Sequence, residues 1–77
     1  MRKRNRWYKV QWYVANGLRR RGDFATNVKG QAQHLAEELV HSFGGGSVSM
    51  AVNDTTPRVS WESGDRNFSV TIWLEDH

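Results

Sequence analysis

Guanidinium and ammonium groups neutralise phosphate, and aromatic rings between them stack on bases; this chain concentrates both chemistries at one end. Arg2, Lys3, Arg4, Arg6, Lys9, Arg19, Arg20 and Arg21 are eight of its eleven Lys and Arg residues, and no acid precedes Asp23. After residue 21 there are three basic and eight acidic side chains, so a segment of +8 is followed by one of −5. The net +3 of the 77 residues conceals this division. A positive field threaded with Trp7, Tyr8, Trp12 and Tyr13 is the footprint of a polyanion-binding surface.

Other chemistries have weaker support. His34, Glu38 and His41 share one face of a predicted helix, but the two histidines lie about two turns, or 10 Å, apart, too far for one metal ion to take both directly. There is no cysteine. Gly44-Gly45-Gly46 follows a helix instead of opening one, the wrong end for an anion. Glu37-Glu38 and Glu75-Asp76 are sequence neighbours on exposed segments, not acids opposed across a cleft. No enzyme, metal site or cofactor is expected. No run approaches the roughly 20 apolar residues of a membrane span, and no apolar stretch follows the basic start as a signal peptide requires. A cytoplasmic protein is expected, with the sequons at Asn53 and Asn67 fortuitous.

The elements that must hold these residues follow from periodicity. Residues 1–6 read as a flexible basic arm and 7–77 as one small domain. From Trp7 to Ala15 the pattern alternates, with Tyr8, Val10, Trp12 and Val14 facing a core and Trp7, Lys9, Gln11 and Tyr13 facing away. Asn16-Gly17 predicts a type I′ hairpin turn into a strand from about Leu18 to Ala25, whose arginines suit a sheet edge. Thr26 or Asn27 then caps a helix in which Val28, Ala32, Leu35, Ala36, Leu39, Val40 and Phe43 form an apolar stripe, ended by the three glycines. Three further alternating runs (Val48–Val52, Val59–Trp61 and Phe68–Leu74) predict three strands, joined by turns at 53–57 and 63–65. The fold class is α+β: one helix on one face of an antiparallel sheet, in the order β-β-α-β-β-β.

Parity then sets what the uncovered face displays: Trp7, Lys9, Gln11 and Tyr13; Ser47, Ser49 and Ala51; Arg58, Ser60 and Glu62; Ser69, Thr71 and Trp73. The leading expectation is a small nucleic-acid-binding protein. Arg2, Lys3, Arg4, Arg6, Lys9, Arg19, Arg20 and Arg21 would meet phosphates, and Trp7, Tyr13 and Trp73 would stack. The alternative is a protein-interaction module, an inhibitor or adaptor, with a homodimer among its forms, because aromatic sheet faces also pack on proteins.

Trp7-Tyr8-Lys9-Val10-Gln11, Gly17-Leu18-Arg19-Arg20-Arg21 and Phe24-Ala25-Thr26 leading to Ala32 and Leu35 resemble the arm-type DNA-binding domain of tyrosine recombinases, the phage and transposon integrases. That module lays a three-stranded sheet in the major groove. The resemblance implies DNA rather than RNA, a phage or mobile-element setting, and contacts through Trp7, Lys9, Gln11, Arg19 and Arg21. It covers residues 7–35. The family places three strands before its helix where this sequence offers two, and no catalytic domain follows.

Overall fold

The computed structural model describes residues 6–15 and 20–76. The Asn16-Gly17 turn, Arg2, Lys3, Arg4 and Arg19 lie outside them. The order is β1 (Arg6–Val14), β2 (Arg20–Thr26), α1 (Lys29–Leu39), a π-helical turn (Val40–Gly44), β3 (Arg58–Glu62) and β4 (Phe68–Asp76). The described strands form one antiparallel sheet in the spatial order β2-β1-β4-β3, so β2 is indeed an edge. Arg6 belongs to β1, not to a preceding arm.

The alternation in β1 and β4 produces the core. Val10 faces Ile72 and Trp12 faces Val70 across the ladder, and Val10, Val70, Ile72 and Phe68 are buried. α1 lays Ala32 and Ala36 on this face, and Val40 follows in the next turn; all three are fully buried. The apolar stripe is shorter than its spacing predicts. Val28, the N-cap, and Phe43, in the π-helical turn, lie outside α1 at the two ends of the stripe and are exposed. Phe43 still stacks on Phe68, with ring centroids 5.4 Å apart. Neither expected cap, Thr26 or Asn27, serves: Val28 is the N-cap and its side chain bonds no first-turn amide. Thr26, the last residue of β2, ties the strand to the helix by accepting from the Val28 amide at 3.1 Å and donating to Gln31 Oε1 at 2.9 Å. Gly45, at φ 70°, ends the helical segment in the left-handed conformation.

Two glycines are held bare by indoles. A methyl group on Gly22 would enter the ring of Trp12, its partner across β1–β2, and one on Gly44 would enter the ring of Trp61.

The strand expected over Val48–Val52 does not form. The alternation is real, since Met50 and Val52 are fully buried and Ser49 and Ala51 exposed, but the backbone joins no ladder. Glu37 supplies another partner: its Oε2 accepts from the Met50 amide at 3.1 Å and from Gln33 Nε2 at 3.1 Å. The sheet therefore has four strands in the order β-β-α-β-β. Both later turns form as expected. Asn53 Oδ1 accepts from the Thr55 and Thr56 amides at 2.9 and 2.8 Å, the side-chain-to-backbone bonding that makes Asn a turn residue. Asp65 accepts from the Ser63 hydroxyl at 2.6 Å and the Asn67 amide at 3.0 Å.

Glu37→Ala leaves the Met50 amide without its carboxylate; a loss of about 1–3 kcal/mol is expected in urea unfolding. The Ser63 hydroxyl and then the Asn67 amide hold the Asp65 carboxyl below its ordinary value of 3.8. A depressed carboxyl stabilises the fold above the unfolded-state value and loses that contribution as pH falls through the folded one. The stability gap between the parent and Asp65→Ala should thus narrow below about pH 4 in acid titrations followed by circular dichroism.

Candidate nucleic-acid interface

The register distributes the charged and aromatic groups over the face opposite α1. Across β2, β1, β4 and β3 one row reads Ala25, Lys9, Trp73 and Arg58. The next reads Asp23, Gln11, Thr71 and Ser60, and the third Arg21, Tyr13, Ser69 and Glu62. Trp7 pairs with Glu75 beyond the first row. Six predicted residues, Trp7, Lys9, Gln11, Tyr13, Arg21 and Trp73, therefore share one face. Arg6 and Arg20 have the opposite parity, at the two ends of the helix-covered side. Ser47, Ser49 and Ala51, expected on this face, are absent from it because their segment is not a strand.

The two ends of this face differ electrostatically. At the end where β1 begins, carboxylates hold the bases. Lys9 Nζ lies 3.0 Å from Glu75 Oε2, and Glu75 Oε1 accepts from the Trp73 indole N–H at 2.9 Å. Arg6 pairs with Asp54. At the other end, Arg20 and Arg21 are exposed and form no ion pair among the described residues. Arg21 packs over the Tyr13 ring, Cζ 5.8 Å from its centroid. Glu62, in the same row, is three strands away, about 14 Å at the usual strand spacing. That exceeds the Debye length of about 8 Å at physiological salt. Glu62 also sits 3.9 Å from Arg66. The nearer carboxylate is Asp23, two residues and about 7 Å along the same face of β2, which forms no ion pair with Arg21.

At this second end lies a shallow groove of about 360 Å³, lined by Gln11, Trp12, Tyr13, Arg21, Ser69 and Thr71. Its polar groups give hydrogen-bond donors and acceptors beside the Arg21 guanidinium. Two of the three expected stacking rings have an arginine over them: Arg21 on Tyr13, and Arg58 on Trp73 at 5.7 Å. Trp7 is 38% exposed but lies at the neutralised end.

Two participants are not assigned by single-strand periodicity. Glu75 appears only as one of two neighbouring acids; its hold on Trp73 is between next-but-one residues of β4, and its hold on Lys9 comes from the β1–β4 register. Asp23 joins the face opposite Gln11. His34 and Glu38 approach to 3.8 Å on the exposed helix surface, and among the described residues no three His, Asp or Glu side chains cluster for a metal ion. On the helix side of β2, Trp12, Phe24 and Leu35 line a separate apolar groove of about 560 Å³. No described helix is long and apolar enough to cross a membrane.

In comparisons with known proteins, the chain matches no family model, no curated protein and no solved structure.

Proposed function

We propose that this protein binds nucleic acid, with DNA preferred over RNA, through the end of the sheet formed by β1 and β2. The observation that carries this reading is the exposed Arg20–Arg21 pair. It has no carboxylate partner among the described residues, whereas Arg6 and Lys9 at the opposite end each have one. Guanidinium groups that share an exposed end and form no ion pair favour a polyanion, and release of the counterions condensed on DNA supplies the affinity. In sequence, Arg19 adds a third charge to this cluster, and Arg2, Lys3 and Arg4 extend the basic segment.

Within this reading Arg20 and Arg21 contact phosphates. Tyr13 supports Arg21 from below, and Gln11, Ser69 and Thr71 supply hydrogen bonds along the groove. Lys9 and Trp73 have a smaller part than their residue types imply, since Glu75 holds both. Exposed Phe24 beside the apolar groove favours a second reading, a protein partner docked against β2 and α1.

Reversing two charges tests the assignment. Arg20→Glu with Arg21→Glu should weaken binding to a labelled duplex by about tenfold or more at ~50 mM salt and flatten the dependence of log affinity on log salt by about two contacts. Fluorescence anisotropy at several salt concentrations reads both quantities. Unchanged affinity and slope would refute the assignment.

A further inference from the structure

The outer edge of β3 carries a pattern that none of the preceding roles uses. Its five residues, Arg58-Val59-Ser60-Trp61-Glu62, are chemically self-complementary when reversed. The backbone directions follow from the bonds that flank the strand. The Pro57 carbonyl accepts from the Leu74 amide at 2.9 Å, and the Ser63 amide donates to the Phe68 carbonyl at 2.9 Å. In an antiparallel ladder a residue's N–H and C=O point to the same side, and successive residues alternate. Residues 57, 59, 61 and 63 thus address β4, while the N–H and C=O of Arg58, Ser60 and Glu62 point outward. Among the described residues nothing hydrogen-bonds to those outward groups.

We propose that two copies of this chain associate through the outer edges of β3, with a two-fold axis through Ser60. That register sets Arg58 against Glu62 of the second copy twice, and Ser60 against Ser60. These are the three residues whose backbone groups face outward, so about six inter-chain hydrogen bonds form. On the helix side Val59 meets Trp61 twice, an aromatic–β-branched pairing, with both residues half-buried in the monomer.

Neighbouring registers lose this match. An axis at Val59 sets Arg58 against Ser60 and Glu62 against Thr56. One at Trp61 sets Ser60 against Glu62 and Arg58 against Gly64. At the opposite edge of the sheet, an axis through Gly22 would join Arg21 to Asp23 but leave Arg20 against Phe24.

The existing side-chain contacts leave the pairing open. Among the described residues Glu62 is held only by an exposed 3.9 Å contact to Arg66, and Arg58 only by the Trp73 ring. Four strands from each copy then form one continuous antiparallel sheet. The β2 strands occupy its outer edges, so this association does not depend on the nucleic-acid reading.

Sedimentation equilibrium of the full chain from about 1 to 100 μM, with circular dichroism as a check on folding, decides the matter. The mass should rise from 8.9 kDa toward twice that value. Arg58→Glu and Glu62→Arg should each raise the dimer dissociation constant about tenfold, because both copies then oppose like charges, and the double variant should restore it. Ser60→Pro removes an outward amide that the β3–β4 ladder does not use, and should yield a folded monomer. A monomer at every concentration would overturn the proposal. So would a dimer indifferent to Arg58→Glu and Ser60→Pro, or a double variant that fails to recover.

Discussion

The ladder between β1 and β4 is the constraint on which the other features rest. It runs nine residues, from Arg6 opposite Asp76 to Val14 opposite Phe68, and occupies the centre of the sheet. It puts Tyr8, Val10, Trp12 and Val14 against Leu74, Ile72, Val70 and Phe68, which creates the apolar surface that α1 covers. The same pairing puts Lys9 beside Trp73 and Trp7 beside Glu75, and so decides which charges are neutralised. A slip of one residue would exchange the two faces entirely. Core and candidate interface are two readings of a single register.

The β1–β2 register has a similar effect on the basic residues. Tyr13 pairs with Arg21 and Trp12 with Gly22. Gly22 is therefore required where the Trp12 indole closes over the strand, and Arg21 reaches the open face above Tyr13. Arg20, one position earlier, goes to the other side. Adjacent arginines thus leave the sheet on opposite faces, and the positive end can meet a polyanion from either side.

Much of this is legible in the residues. Tyr8–Val14 and Phe68–Leu74 alternate strictly, and Ala32, Leu35, Ala36 and Leu39 recur at helical spacing; these patterns record burial on one side, and burial forms the elements. The failure over 47–52 has the same origin. Alternation reports that Met50 and Val52 face the core but is silent on where the backbone bonds go, and Glu37, thirteen residues earlier, takes the Met50 amide. The charges at the candidate site were only half legible. Arg20 and Arg21 stand out by composition, whereas the neutralising of Lys9 by Glu75 joins residues 66 positions apart and depends on strand order. A count of +8 therefore overstates the positive field of the open face.

Strand order also bears on how the chain survives its own synthesis. β4 is made after the other three strands of the sheet, yet it lies between β1 and β3. While translation proceeds from the N-terminus, β1 and β2 are available long before their inner neighbour, and a two-stranded hairpin is at best marginally stable in water. Throughout that interval β1 presents an unpaired edge with four aromatic residues, Trp7, Tyr8, Trp12 and Tyr13, a composition prone to cross-β association between nascent chains. Arg6 and Lys9 within β1, and the arginines on either side of it, make every such encounter one between like charges. Like charge of this kind is how gatekeeper residues limit association before a sheet closes, so the density of basic residues in the first 21 positions favours solubility during translation whatever the folded protein binds.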